Sequence, residues 1–393
     1  MTFHFITFHT ANVLTLFVTL AYFRYIFFIL ARILLCKSYK ITNFALHNPT
    51  LLHTTHMSKT FATLTAMLLT STLLSAKDSL YVNPVYPKDW PDPTVWRADD
   101  GKFYSLSTGQ NARRPLLCSD DLVEWTFSDI VPLDDHVMQH FRRVGKHVWA
   151  PDVAMVHGRR MAYFTLYNSK EDASIVALRE SSTPGKFEYI DIITSGKVTG
   201  IDDTIDPEVI VDDKTGKVWM FFGSMGRIHR VELNPYGTQL ADDARYEVVA
   251  GVHGSENPQR DRVFEGAYLH YRKGWWYLFV SAGQYWNETY QVKVGRSKTL
   301  DGVFVDREGR PMHEGYATTV IRSDKDDHFY GPGHNGEIFT DKKRHDWMLY
   351  HCHNRSSHPN ARPMMLQRIH WDKRGWPYVK DGKPATTSAR PVF

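Results

Sequence analysis

The chain has 393 residues, 42% of them hydrophobic and 13% aromatic, and its 47 basic and 43 acidic side chains leave a net charge of +4. This composition is typical of a globular protein, and the length permits one large domain or two to three average ones. Because the sequence has no run of basic residues of the kind that binds nucleic acid, we expect no nucleic-acid partner, and a neutral polymer fits better than a polyanion.

The first 76 residues differ from the rest of the chain. Arg24 and Arg32 interrupt the early apolar residues, so no clean run of about 18 apolar residues is available to span a bilayer. From Met57, a short basic start, an apolar core over residues 61–74 and small residues before a polar segment follow the order of a secretory signal peptide. We therefore expect a secreted or periplasmic protein without stable membrane insertion after leader removal; a membrane anchor is the alternative. The predicted parts are a leader or mis-assigned upstream segment, a signal peptide and one folded domain, over residues 1–56, 57–76 and 77–393.

A repeated pattern begins near Trp90. The pattern occurs five times: an acidic or amide residue, a predicted strand, a charged or glycine-containing turn, and a second strand rich in aromatic residues. Two strands joined by such a turn are typical of a β-hairpin. A single hairpin cannot bury its apolar face alone, so a repeat of this length indicates blades stacked around an axis. The sequence therefore predicts an all-β fold, a five-bladed β-propeller. The five residues, at intervals of 60, 54, 59 and 70, are Asp92, Asp152, Asp206, Glu265 and Asn335.

The four acidic residues of this repeat are expected to face one another, because the first strand of each propeller blade lines the central channel. Cleavage of a glycosidic bond requires one carboxylic acid that protonates the leaving oxygen and one carboxylate that activates water or attacks the sugar. A third carboxylate can hold the acid protonated, since like charges resist joint ionisation. The axial acids thus point to hydrolysis of a carbohydrate. The alternative for any single one is a turn, a cap or a solvated edge charge.

An ordered set of short motifs carries a resemblance to a known family. The motifs are Asp92-Pro93, Trp149-Ala150-Pro151-Asp152, Ile205-Asp206-Pro207-Glu208-Val209, Phe264-Glu265-Gly266 and Gly331-Pro332-Gly333-His334-Asn335-Gly336. The set resembles glycoside hydrolase family 43, which contains arabinanases, α-L-arabinofuranosidases and β-xylosidases on five-bladed propellers. The likeness covers roughly residues 83–379. One position departs from it, because Ala267 stands where the acid motif of the family usually has proline.

The resemblance implies an inverting mechanism and a role for each matching residue. Asp92 would be the general base that activates water, Glu265 the general acid, and Asp206 the residue that raises the pKa of the acid and orients it. Asp152 would help to shape the sugar pocket. His334 matches a histidine that in arabinanase-like members sits beside a calcium ion and its waters; the chemistry itself needs no cofactor. Since calcium prefers oxygen ligands, His334 would contribute at most one ligand to a mostly water shell.

Other candidate residues have two interpretations each. Trp149 and Trp90 are predicted to bind substrate as sugar platforms, with blade packing as the alternative. Asp152 could instead tie down backbone amides, and a histidine such as His334 is often a core residue with its hydrogen bonds satisfied. After the leader, Cys118 and Cys352 remain; we expect two buried thiols, although closure of the propeller makes a bridge conceivable.

The expected substrate is an arabinose- or xylose-containing oligosaccharide or polysaccharide. Residues 291–298 and 368–372 look closer to the arabinan-cleaving branch, and no room remains after the fifth blade for the β-sandwich that many β-xylosidases carry, so we favour α-L-arabinofuranosyl linkages in plant cell-wall polysaccharide. A β-xylosidase of the same family and a non-catalytic sugar-binding propeller are the alternatives. A retaining fructan hydrolase fits the motifs poorly, and a protein-interaction propeller would not need axial carboxylates.

Overall fold

Antiparallel sheets make up nearly all the regular structure of the computed structural model, which describes residues 80–111, 113–253, 263–356 and 361–393. The predicted leader and signal peptide, residues 1–56 and 57–76, lie outside the described residues. Among the described residues, no helix is both long and apolar enough to cross a membrane. Five blade sheets follow one another along the chain, so the predicted all-β five-bladed propeller is confirmed.

Two short strands precede the first blade, and the first two blades follow directly. The leading strands are β1 (Leu80–Val82) and β2 (Tyr86–Asp89). Blade I contains β3 (Thr94–Arg97), β4 (Phe103–Leu106), β5 (Leu117–Ser119) and β6 (Thr126–Phe127). Helix α1 (Asp135–Val144) then leads to blade II, with β7 (His147–Val156), β8 (Arg159–Tyr167), β9 (Ala173–Glu180) and β10 (Phe187–Ser195).

The last three blades use the same order of strands. After helix α2 (Gly196–Thr199), blade III contains β11 (Glu208–Val211), β12 (Val218–Phe222), β13 (Ile228–Leu233) and β14 (Glu247–Ala250). Blade IV contains β15 (Phe264–Arg272), β16 (Trp275–Ala282), β17 (Gln291–Ser297) and β18 (Thr318–Ile321), with a 3-10 turn at Met312–Glu314. Blade V contains β19 (Phe329–Gly333), β20 (Ile338–Thr340), β21 (Asp346–Asn354), β22 (Pro363–Trp371) and β23 (Pro377–Val379); a 3-10 turn (Lys380–Gly382) and β24 (Thr387–Ala389) follow.

The last blade is completed by the beginning of the domain. Strand β2 pairs with β22, so the sheet order is β19-β21-β22-β2, and β1 pairs separately with β24. The amide of Asn83 reinforces this junction, because its Nδ2 donates to the carbonyl of Leu366 at 2.8 Å and its Oδ1 accepts the N–H of the same residue at 3.0 Å. Strands from both ends of the domain therefore close the circle of blades.

Apolar side chains fill the spaces between neighbouring blades. In β8, Ala162 and Phe164 pack toward blade I, whereas Met161 and Tyr163 pack toward blade III. This is the alternation expected of a strand that is buried on both faces. Each of the five clusters within the described residues joins one pair of adjacent blades. Of the cysteines, Cys352 is buried in the cluster between blades IV and V and Cys118 is half-buried; both are free thiols.

A ring of hydrogen bonds also joins the blades around the channel. In each blade, one side chain near the start of the innermost strand accepts a hydrogen bond from a backbone N–H of the next blade. This interblade ring consists of Thr94 to Val153 at 3.2 Å, Asp152 to Val209 at 2.8 Å, Glu208 to Leu269 at 2.9 Å, Tyr268 to Ile338 at 2.9 Å, and Glu337 to Val95. The innermost strands of a propeller have one edge without a strand partner, and the ring satisfies donors on that edge.

Candidate active site

One cavity of about 370 Å³ at the channel receives side chains from all five blades. Asp92 of blade I, Asp206 of blade III and Glu265 of blade IV line it, together with Trp149 of blade II and His334 of blade V. The three acids whose convergence the repeat predicted are thus brought together. We call this cavity the active-site pocket.

An unusual backbone conformation directs the inner strands toward the pocket. Asp92 and Asp206 have φ angles of 52° and 55°, and Ala150 and Gly266 hold the corresponding places in blades II and IV with φ angles of 32° and 58°. Positive φ is uncommon for residues other than glycine and is concentrated at functional sites. In blades II and IV the pairing register shifts at this point, as in a β-bulge, which re-aims the adjacent side chains.

Asp92 is held as a carboxylate by its partners. Thr108 Oγ1 donates to Oδ2 at 2.6 Å, Arg362 Nη1 donates to Oδ1 at 3.2 Å, and His334 Nδ1 lies 3.3 Å from Oδ1. Burial by itself would raise the pKa of Asp92, but the charges of Arg362 and His334 outweigh it and hold this pKa well below the usual value. An ionised carboxylate in a cavity can accept a proton from water.

A buried histidine fixes the backbone of Asp92. Nδ1 of His351 accepts the backbone N–H of Asp92 at 3.1 Å, and burial lowers the pKa of His351 to about 3. His351 is therefore neutral and supports the position of Asp92. Cys352, the next residue of the strand, points away into the core between blades IV and V, and Nε2 of His353 hydrogen-bonds to the carbonyl of Tyr285 at 2.8 Å.

Glu265 has two hydroxyl donors, one to each oxygen. Ser224 Oγ donates to Oε2 at 2.9 Å and Tyr290 Oη donates to Oε1 at 2.5 Å. Tyr290 packs directly over Gly333, where a Cβ atom would lie 1.9 Å from the ring, so only glycine leaves room for the tyrosine. Both oxygens of Glu265 are thus held in a fixed orientation beside the pocket.

Asp206 resists ionisation. Burial, followed by the nearby charges of Glu265 and Asp92, raises its pKa well above the usual value, and a hydrogen bond from the backbone of Gly266 offsets this only in part. Because burial and the neighbouring negative charges disfavour its ionised form, Asp206 tends to retain its proton. The pocket therefore combines an ionised carboxylate, Asp92, with a carboxyl group that tends to stay protonated, Asp206.

The two candidate tryptophans occupy different surroundings. Trp149 lines the pocket and stacks on Tyr167 with ring centroids 4.0 Å apart, so it offers an aromatic surface to a ligand. Trp90 is 0% exposed in the core between blades V and I, and its Nε1 donates to Ser105 Oγ at 2.9 Å. The expectation that Trp90 contacts sugar is therefore wrong, because its ring serves blade packing.

Asp152 also lies elsewhere than the repeat predicted. It is the counterpart of Thr94 and Glu208 in the interblade ring and lines a smaller cavity of about 20 Å³ beside the active-site pocket. Its place in the strand is two residues beyond that of Asp92, because Ala150 occupies the left-handed position in blade II. The alternative interpretation, that Asp152 ties down a backbone amide, describes its hydrogen bond to Val209.

Comparisons with known proteins agree with this geometry. The sequence model of glycosyl hydrolases family 43 matches residues 81–377. The chain belongs to glycosyl hydrolase family 43. It is similar to the extracellular exo-α-(1→5)-L-arabinofuranosidase of Cellvibrio japonicus, with 28% identity over 75% of this chain and 87% of that protein. It is also similar to the extracellular endo-α-(1→5)-L-arabinanase 1 of Bacillus subtilis, with 27% identity over 73% of this chain and 86% of that protein.

A solved structure of family 43 shares the fold. The α-L-arabinanase of Cellvibrio cellulosa, determined with arabinohexaose, superposes with a TM-score of 0.63 at 25% identity. The match covers 75% of this chain and 96% of that one. The predicted resemblance to the family is confirmed, and the protein is a glycoside hydrolase.

The calcium ion suggested by the resemblance fits the channel in part. The small cavity is rich in side-chain oxygens, since the carboxyl groups of Asp92, Asp206 and Glu208 line it with His334, and calcium prefers oxygen ligands. Asn335 lines it too, and its buried Oδ1 accepts no hydrogen bond from the described residues. Within the described ranges, however, no three His, Cys, Asp or Glu side chains form a ready-made metal site. The role of His334 beside a calcium ion stays a prediction.

Several residues of this family-43 site carried no recognisable signal in the sequence. Thr108 and Ser224 each lie two residues after the end of the second strand of a blade. A hydroxyl residue at this shared position is the one weak signal of their role in the sequence. Tyr290 lies 25 residues from Glu265 and Arg362 lies 270 residues from Asp92, and neither belongs to a motif. Asp203, a fourth acid in the pocket, also escaped sequence reasoning.

Proposed function

We propose that this family-43 hydrolase cleaves α-L-arabinofuranosyl linkages of arabinan with inversion of configuration. Two similar proteins are named for action on α-(1→5)-linked L-arabinose, one as an exo-acting and one as an endo-acting enzyme. The solved α-L-arabinanase of similar fold holds arabinohexaose. The sequence expectation of an arabinose-containing substrate agrees with these relatives.

The observation that carries the proposal is the contrast between Asp92, whose pKa is lowered, and Asp206, whose pKa is raised beside Glu265. Asp92, held ionised by Arg362, is the general base that takes a proton from the attacking water. Glu265, oriented by two hydroxyl donors, is the general acid that protonates the leaving oxygen. Asp206 is the positioning residue: it lies beside Glu265 and resists ionisation. Trp149 supplies a stacking surface for the bound sugar.

A product assay tests the substrate and the stereochemistry together. We expect the protein to release arabinose or arabino-oligosaccharides from linear and branched arabinan, and proton NMR of the first product to show the inverted anomer. Xylo-oligosaccharides in parallel reactions serve as the control for linkage. Cleavage of xylo-oligosaccharides alone would favour the β-xylosidase alternative, retention would exclude the general-base role of Asp92, and binding without any product would favour a sugar-binding propeller.

We further propose that a mostly hydrated calcium ion binds beside His334. The support is the oxygen-rich lining of the small cavity, since a hard cation takes oxygen ligands and keeps waters where side chains are few. Melting of the protein in calcium and in EGTA, with bound metal counted by atomic spectroscopy, tests this. We expect about one ion per chain and a higher melting temperature with calcium. A calcium content near zero after saturation would contradict it.

We propose that the protein is secreted after removal of residues 57–76. Both extracellular relatives support this, and the segment has the order of a signal peptide. Expression in a secreting host, followed by sequencing of the amino terminus of the exported protein, should give a start near residue 77. A protein retained in the cell with residues 1–56 attached would contradict the proposal.

A further inference from the structure

A second and larger cavity, of about 590 Å³, adjoins the active-site pocket. Four residues line both cavities, namely Lys170, Asp203, Ser224 and Met225. The second cavity then extends past residues of blade III as far as Trp286. The two cavities therefore form one continuous space with a shared boundary.

The shared boundary lies on the side of the general acid. Ser224, which lines both cavities, donates its hydroxyl hydrogen to Glu265. Thr108 and Arg362, which hold the carboxylate of Asp92, line the active-site pocket alone. In acid–base glycoside hydrolysis, the acid protonates the departing oxygen while the base activates water on the opposite face of the sugar. The space beyond the acid is where the leaving group lies.

Asp203 is suited to a ligand at this boundary. The residue lines both cavities, is only 5% exposed and has a φ angle of 53°. Burial raises the pKa of Asp203 to about 6, with Lys170 lowering it and Asp202 and Glu265 adding to the rise. It can accept hydrogen bonds from hydroxyl groups of a neutral sugar.

Trp286 offers an aromatic surface at the far end. Its side chain is 52% exposed, and it packs edge to face on Tyr285 with ring centroids 4.9 Å apart. Tyr285 in turn lines the active-site pocket, so the tryptophan lies next to a residue of that pocket. An exposed tryptophan beside a polar cavity is typical of a binding surface.

We propose that the second cavity binds the leaving-group part of an oligosaccharide, with Trp286 stacking on a sugar ring and Asp203 accepting hydrogen bonds from sugar hydroxyls next to the cleaved bond. This inference rests on the proposed function and adds where the departing portion of the substrate is held. It identifies the preferred substrate as a neutral, hydroxyl-rich oligosaccharide with several units beyond the cleaved bond. A small aryl leaving group would leave most of the cavity unfilled.

The test compares a long and a short leaving group in the full chain. Trp286→Ala and Asp203→Asn are assayed on arabinohexaose and on p-nitrophenyl α-L-arabinofuranoside. We expect kcat/KM for the hexaose to fall about tenfold in each variant, while kcat/KM for the aryl substrate changes less than about twofold. Tyr236→Ala is the matched control, because this aromatic residue is 60% exposed and does not line either cavity.

Each outcome decides the inference. An equal loss on both substrates, or no loss on either, would overturn the assignment of the cavity. If the wild type cleaves no arabinoside at all, the proposed function itself fails, and calorimetry then decides the cavity alone: Glu265→Gln should bind arabinohexaose at least about fivefold more tightly than the double variant Glu265→Gln/Trp286→Ala. Equal affinity of these two variants would also overturn it.

Discussion

Two sets of buried carboxyl groups lie beside the channel, and they differ in what they face. Asp206 and Glu208 are two residues apart; Asp206 lies just before strand β11 and Glu208 is its first residue. Asp206 lines the active-site pocket, where other carboxyl groups are its neighbours, whereas Glu208 accepts the backbone N–H of Leu269 in the next blade. Burial raises the pKa of both well above the usual value. Burial and a raised pKa therefore do not distinguish a carboxyl group of the pocket from a structural one. The distinction comes from the group that each carboxyl contacts, other carboxyl groups for Asp206 and a backbone N–H for Glu208.

The largest effect should come from the acid of the active-site pocket. Glu265→Gln keeps the shape of the side chain but removes the proton, so we expect kcat on arabinan to fall by about 10²–10⁴. Binding of arabino-oligosaccharides and the melting temperature should stay close to the wild type. Glu188→Gln on the surface is the control. A variant with unchanged kcat would remove Glu265 from the mechanism.

A somewhat smaller effect is expected from Arg362→Met. The guanidinium holds the pKa of Asp92 down, so its loss should raise that pKa and leave the base protonated over a wider range. The acid limb of the pH profile of kcat/KM should move to higher pH by about one to two units. Arg355→Met, which removes a surface arginine away from Asp92, should leave the limb in place. An unmoved limb in Arg362→Met would mean that another group sets it.

Substitution of a residue of the interblade ring should change the stability of the protein rather than its turnover. Glu208→Ala leaves the N–H of Leu269 without its acceptor, which should cost about 1–3 kcal/mol of the free energy of unfolding. Glu208→Gln keeps an oxygen at that place and should lose less. Thermal melting measures both, and kcat of the folded fraction should remain within about twofold of the wild type. A large loss of kcat without a change in melting temperature would assign Glu208 to the chemistry instead.

The smallest effect is a dependence of stability on pH. Burial raises the pKa of Glu337 from 4.5 to about 8, so the folded state holds this proton more tightly than the unfolded state. The stabilisation is therefore fully present below pH 4.5 and is lost as the pH rises toward 8. Glu337→Gln removes this titration and should weaken the dependence of stability on pH. Measured in EGTA, the drop in melting temperature from pH 5 to pH 8 should be a few degrees smaller in the variant than in the wild type. Parallel slopes for the two proteins would contradict it.

The sequence was sufficient for the architecture and for part of the site. The hairpin repeat predicted the propeller and the convergence of Asp92, Asp206 and Glu265, because whole blades bring such positions to one axis. It placed Asp152 wrongly, since a motif does not reveal that Ala150 takes the left-handed position and moves the aspartate two residues along the strand. Arg362 could not be predicted, because a partner 270 residues away along the chain leaves no local pattern.

The pairing of β2 with β22 also has a consequence for how the protein is made. Strand β2 leaves the ribosome early, but its partner is synthesised only after the four preceding blades are complete. We therefore expect β2 to stay unpaired until β22 has been synthesised, so that closure of the circle comes late in folding. Joining the two ends and opening the chain in a turn between blades should therefore yield a permuted enzyme whose strands all emerge beside their partners.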